Sequence, residues 1–147
     1  MFVNKISVEI SWGDCDPAGI VYYPQYFRMF DSCTAAIFRM VTGIDKRAMI
    51  ERYGIVGFPM VDDIARFYIP SRFGEEIQVH TSVPKIGRSS FEVSHRVFRG
   101  EDLAIEAFEK RVWSAIDQES GRLRGIPLPP EIVSALSTPS IHEGVSS

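Results

Sequence analysis

Several absences narrow the possibilities before any motif is read. Only two cysteines, Cys15 and Cys33, stand in 147 residues. With no export signal ahead of them, they read as reduced thiols and not as a disulfide framework. The chain has three histidines, His80, His95 and His142, and none is spaced with a cysteine as metal ligands are, so no metal site is expected. No apolar run approaches the roughly 20 residues of a membrane span. Lys and Arg are scattered in ones and twos and the formal net charge is −3, which gives neither nucleic acid nor an anionic membrane a surface to hold. A Gly-x-Ser-x-Gly elbow is missing, and with it the usual setting of a Ser-His-Asp triad. The N-terminus runs straight into an alternating strand, so no leader peptide is expected and the location is expected to be cytoplasmic.

What is present is an ordinary globular composition, 45% hydrophobic and 24% charged, with strong patterning. Residues 5–11 alternate at period 2 as a half-buried strand. A tight turn, Asp14–Gly19, carries two carboxylates, Pro17 and Gly19. Pro24 to Val41 then reads as a helix, with Pro tolerated in the first turn and Gly43 as its stop. Its polar positions Gln25, Arg28, Ser32 and Arg39 form one stripe with Asp31 at the edge, and the remaining surface is apolar, which implies burial over most of the circumference. A shorter helix is expected over Lys46–Tyr53, ending at Gly54. Four long β-type runs follow: Ile55–Ile69, Glu76–Pro84, Ser90–Arg99 and Leu103–Asp117. A phase shift in the last predicts a bulge near Ala107–Glu109. A terminal helix can start at Pro129-Pro130, and 138–147 reads as a disordered tail after a single domain over 1–137. One strand, one apolar helix and a meander make an α+β order. It suggests a highly curved antiparallel sheet wrapped around a long central helix.

The segment with most chemistry is Trp12-Gly-Asp-Cys-Asp-Pro-Ala-Gly-Ile-Val-Tyr-Tyr-Pro-Gln-Tyr-Phe27. It sets Asp16 in a turn directly ahead of the backbone N–H groups that open a helix, a candidate nucleophile or base beside a candidate oxyanion site. The plain alternative is that Asp16 caps its own turn. Asp14 reads as a loop brace. Asp31 is either a partner of Arg28 or an acid facing a pocket, where it can accept a hydrogen bond from a hydroxyl. His95 shares its phase with Phe91, Val93 and Val97 and reads as a buried, hydrogen-bonded histidine.

These residues resemble the hotdog-fold acyl-CoA thioesterases, and specifically their 4-hydroxybenzoyl-CoA branch. Asp14-Cys-Asp-Pro-Ala-Gly-Ile-Val-Tyr-Tyr-Pro-Gln-Tyr is similar to that branch's active-site segment. Gly54-Ile-Val-Gly-Phe-Pro-Met-Val and Arg88-Ser-Ser-Phe match two further segments, so the likeness runs over roughly residues 5–135. It implies a five-stranded hotdog sheet in a homodimer or dimer of dimers, with the two sheets joined edge to edge and the active sites in the interface. It also implies Asp16 and the Tyr23 amide as catalytic groups, with no cofactor beyond the CoA of the substrate. Asp31 would face the acyl group, and Arg88 and Lys85 the CoA phosphates. The aromatic residues Tyr22, Tyr23 and Phe58 can line an acyl pocket, with core packing the equal alternative for Tyr22 and Phe58. At Phe58 the chain departs from the branch, which has a small hydroxyl residue there, and Ser89 and Ser90 replace more basic residues. A short-chain thioesterase of the Tol–Pal-associated type and a non-catalytic acyl-CoA-binding module are the rival expectations. The former usually has histidine where this chain has Pro24.

Overall fold

The computed structural model describes residues 1–145. Strand β1 (Phe2–Glu9) leads through a single 3-10 turn, Trp12–Asp14, to helix α1 (Tyr23–Thr42) and helix α2 (Lys46–Tyr53). Strands β2 (Met60–Phe67), β3 (Glu76–Ile86), β4 (Ser90–Arg99) and β5 (Asp102–Val112) follow. A small ribbon of β6 (Ser114–Ile116) with β7 (Leu123–Gly125), helix α3 (Pro130–Ser137) and strand β8 (Ser140–Val145) complete the chain. No helix is long and apolar enough to cross a membrane among the described residues.

The helix boundaries follow local chemistry. Gly43 ends α1 in the left-handed region at φ 73°, and its N–H returns to the Arg39 carbonyl. Asp45 opens α2 by accepting the Ala48 N–H at 2.8 Å, and Gly54 closes it. Helix α1 lays Tyr26, Met29, Phe30, Cys33, Thr34, Ile37 and Phe38 inward. Phe30 stacks on His95 of β4 at 4.8 Å, and Phe38 meets Phe91 of the same strand at 5.2 Å. Truncating either ring to alanine would cost about 3–5 kcal/mol.

The main sheet has six strands in the order β2-β5-β4-β3-β1-β8, not five, and it is not wholly antiparallel. The sixth strand comes from the segment expected to be a disordered tail. Residues 140–145 pair in parallel with Phe2–Ser7, Asn4 Oδ1 lies 2.8 Å from His142 Nδ1, and Lys5 pairs with Glu143 at 3.8 Å. The outer edge of β1 would otherwise present unpaired backbone groups, and β8 satisfies them. Its polar sequence carries no apolar signal to announce that. Ser146 and Ser147, the end of the expected tail, lie outside the described residues.

The expected bulge near Ala107–Glu109 sits instead at Ala104. Val97 pairs with Ile105 and Phe98 with Leu103, which leaves Ala104 as the extra residue. Ala104 and Ile105 are both fully buried as a result. The shift fixes the phase of everything beyond it. Ile105, Ala107, Glu109 and Arg111 face inward, while Phe108 is 43% exposed.

Candidate active site

The Asp14–Gly19 turn is a closed unit. Asp16 N–H donates to the Ile20 carbonyl and Gly19 N–H to the Asp16 carbonyl, both at 2.9 Å. Gly19 takes φ 80°, a conformation that favours glycine. Asp16 Oδ1 accepts the Ala18 N–H at 2.8 Å, so the turn-capping role is real. A carboxylate has further lone pairs, and this bond leaves acceptor capacity for other work. Asp14 is buried and braces the loop as expected. Its Oδ2 accepts the Ser11 N–H at 2.9 Å and its Oδ1 meets Arg28 Nη2 at 3.2 Å. Its carbonyl accepts the Tyr22 N–H, which ties the turn to the start of α1.

Tyr22 is the N-cap of α1 and supplies no side-chain cap. Pro24 has no N–H and Gln25 N–H turns back to the Tyr22 carbonyl. Among the described residues the Tyr23 N–H donates to no turn, loop or cap acceptor. Both tyrosine rings are exposed, 48% and 60%, and do not pack in the core. The Tyr23 ring meets Phe27 edge-on at 6.4 Å.

Of the two readings of Asp31, the pair with Arg28 does not form. Arg28 is taken by Asp14 and Gln25, and Asp31 reaches Arg111 Nη2 at 3.0 Å. Arg111 is 5% exposed at its side chain, donates from Nε to Glu109 Oε2 at 2.8 Å, and reaches the Phe58 carbonyl from Nη1 at 3.3 Å. Glu109 Oε1 lies 3.2 Å from His95 Nε2, and Thr34 donates to Glu109 Oε2 at 3.1 Å. Thr81 Oγ1 stands 2.9 Å from His95 Nδ1. His95 is therefore buried and satisfied, as its phase suggested. Burial pushes the Glu109 carboxyl up, but the hydrogen bond and charge of His95, then those of Arg111, outweigh it and bring the pKa down to about 2. Cys33 is no nucleophile: burial raises its thiol to about 12.

Sequence reading missed Glu109 and Arg111. A signal was available, because charged residues two apart after an inward Ala107 continue an inward phase. The misplaced bulge hid it.

Asp31, Glu109 and Arg111 open on a cavity of about 520 Å³ with walls from Phe27, Val56, Phe58, Pro59, Met60 and Leu123, and Lys46 and Asp63 also line it. Phe58 does two jobs. It is 2% exposed, stacked on Phe38 at 4.8 Å and on Trp113 at 6.2 Å, and it walls the cavity. The structure thus brings Asp31 and Phe58 together. It does not bring Asp16, Tyr22, Tyr23, Arg88 or Lys85 into that lining. Arg88 is exposed in the turn before β4, and Lys85 is exposed and paired with Glu92 at 3.8 Å.

A family model described as the thioesterase-like superfamily matches residues 10–136. The 4-hydroxybenzoyl-CoA thioesterase of Pseudomonas sp. (strain CBS-3) is 36% identical over 136 residues, 88% of this chain and 94% of the relative. The chain belongs to the thioesterase-like superfamily. A 1,4-dihydroxy-2-naphthoyl-CoA hydrolase of Synechococcus sp. (strain WH7803) is 24% identical and covers 84% of this chain, which covers 82% of it. Among solved structures, an Asp-to-Asn variant of 4-hydroxybenzoyl-CoA thioesterase complexed with 4-hydroxybenzoyl-CoA superposes with a TM-score of 0.84 at 31% identity, covering 92% of this chain and 99% of that one. The fold is the α+β hotdog of this superfamily of acyl-CoA thioesterases.

Proposed function

We propose that this acyl-CoA thioesterase acts on a hydroxylated aromatic acyl group, with 4-hydroxybenzoyl-CoA as the first substrate to test. One observation carries the reading: Asp31, held by Arg111, stands at an aromatic-walled cavity on the same helix face as Tyr23. Tyr23, Phe27 and Asp31 are spaced i, i+4, i+8. Eight residues of helix rise about 12 Å, close to a para-hydroxybenzoyl group with a hydrogen bond at either end. The thioester carbonyl accepts from the Tyr23 N–H, the ring lies along Phe27, and the phenol donates to Asp31. Phe58 and Tyr22 flank the acyl group, and Arg88 and Lys85 meet the CoA phosphates.

Asp16 supplies the reacting carboxylate. Either it attacks the carbonyl carbon, expelling the CoA thiolate and leaving an anhydride that water opens, or it takes a proton from the water that attacks. Both routes consume one water and release one acid and one thiol. The solved Asp-to-Asn relative that holds 4-hydroxybenzoyl-CoA supports an aspartate in that role.

In one chain Asp16 and the cavity have no common lining, and a second copy is the natural source of the rest. Strand β2 is a sheet edge that exposes Met60, Val61, Ile64 and Phe67, and such an edge invites pairing. The working unit is a homodimer joined through it, acting in the cytoplasm without a cofactor. Thiol release from 4-hydroxybenzoyl-CoA, lost in Asp16→Asn, tests the assignment. Faster release from butyryl-CoA would favour the short-chain alternative, and stoichiometric binding without release the non-catalytic module.

A further inference from the structure

Asp63 stands on β2 directly opposite Glu109 of β5, so the pleat puts both carboxylates on one face of the sheet. Like charges placed opposite one another weaken a sheet. The fold gains nothing visible in return. Asp63 Oδ1 is buried and makes no hydrogen bond among the described residues. The cations that line the same cavity are engaged elsewhere. Arg111 is committed to Glu109, the Phe58 carbonyl and Asp31, and Lys46 Nζ sits 4.6 Å over the Phe58 ring. Burial first, and then the charge of Glu109, raise the Asp63 pKa, with His95 and Arg111 opposing.

The cavity therefore has two carboxylates with different settings. Asp31 is pinned through one oxygen by Arg111. Asp63 is not pinned, and it presents a desolvated acceptor beside apolar walls. An unpaired polar atom at a cavity wall is satisfied when a ligand supplies its partner, and a ligand lacking that partner is rejected.

We infer that Asp63 is a second reader of the acyl group, and that the preferred acyl ring carries a second hydrogen-bond donor, hydroxyl or amino, besides the hydroxyl that meets Asp31. The inference rests on the thioesterase reading of this cavity and narrows its substrate class. The para position is already taken by the hydroxyl that meets Asp31, so the second donor lies elsewhere on the ring.

The test compares thiol release from the CoA esters of benzoate, 4-hydroxybenzoate, 3,4-dihydroxybenzoate, 2,5-dihydroxybenzoate and 3-amino-4-hydroxybenzoate. At least one two-donor ester is expected to exceed 4-hydroxybenzoyl-CoA roughly tenfold or more in kcat/KM. A hydroxyl or an amino preference supports the inference equally and names the donor. The ratio falls to about one in Asp63→Ala and is partly kept in Asp63→Asn, which retains an acceptor oxygen and the side-chain shape. Asp63→Ala is also expected to raise Tm, since it removes a buried like charge; a fall would mark Asp63 as a structural residue and overturn the inference. So would the absence of any two-donor preference in the wild type, or the same preference in both variants. Cleavage of 4-hydroxybenzoyl-CoA without such a preference leaves the thioesterase reading standing. Release from none of the five esters overturns both.

Discussion

Arg111 Nη2 donates to Asp31 Oδ1 at 3.0 Å, joining a buried guanidinium on β5 to a mostly exposed carboxylate on α1 eighty residues earlier. Because the same guanidinium also holds Glu109, the aim of Asp31 is set by the core of the protein and not by its own helix. The alternative partner, Arg28, would have tied Asp31 to its own helix.

Breaking this link should change selectivity before it abolishes turnover. Arg111→Lys keeps a charge but not the fork that holds both acids. It is expected to reduce the kcat/KM ratio of 4-hydroxybenzoyl-CoA over benzoyl-CoA about tenfold. Arg111→Met leaves Glu109 buried beside one fewer cation and should cost about 3–5 kcal/mol in urea unfolding. An unchanged ratio in the lysine variant would show that Asp31 needs no anchor.

The two acids of the turn should separate by assay. Asp16→Asn keeps the Ala18 hydrogen bond and is expected to lose at least about a hundredfold in kcat with little change in Tm. Asp14→Ala releases the Ser11 N–H and Arg28 and should cost about 1–3 kcal/mol of stability. Matching thermal losses in the two variants would contradict the division of labour.

Acid should expose the Glu109 network. A carboxyl whose folded pKa lies below its unfolded value stabilises the protein above about pH 4.5, and the contribution is lost as pH falls toward 2. A shift of that size corresponds to on the order of 3 kcal/mol. Urea midpoints of the wild type are expected to fall over this range more steeply than those of Glu109→Gln, with the two curves running parallel above pH 5. Parallel curves throughout would remove Glu109 from the account.

Removing residues 139–147 strips β8 from the edge of β1. The truncated chain is expected to lose on the order of 1–2 kcal/mol, a few degrees in Tm, and to aggregate more readily through the bared edge. Light scattering during a thermal scan checks both effects. An unaltered scan would mean that β8 covers nothing of consequence.

Much of the fold was legible because its signals are local. Gly43 and Gly54 stop their helices in the left-handed conformation, and α2 spans Lys46–Tyr53 as expected. The alternation of Phe91, Val93, His95 and Val97 sets one face of β4 inward. The Asp14–Gly19 turn closes on itself, so the bracing by Asp14 and the turn cap by Asp16 were both local signals. Bulges and edges are different in kind. One extra residue at Ala104 reverses which side of β5 faces the core, and only the partner strand decides where that residue falls. It sends Glu109 and Arg111 inward and Phe108 outward.

The amino-acid order alone thus determined the helices, the phase of β4 and the closed Asp14–Gly19 turn, since each depends on a 3.6- or 2-residue period or on hydrogen bonds a few residues apart. Tertiary structure alone decided the cavity beside Asp31. The partner of Asp31, the unpaired state of Asp63 and the pairing of β8 with β1 all depend on contacts between segments far apart in the chain. Those contacts exist only once sheet register has been set.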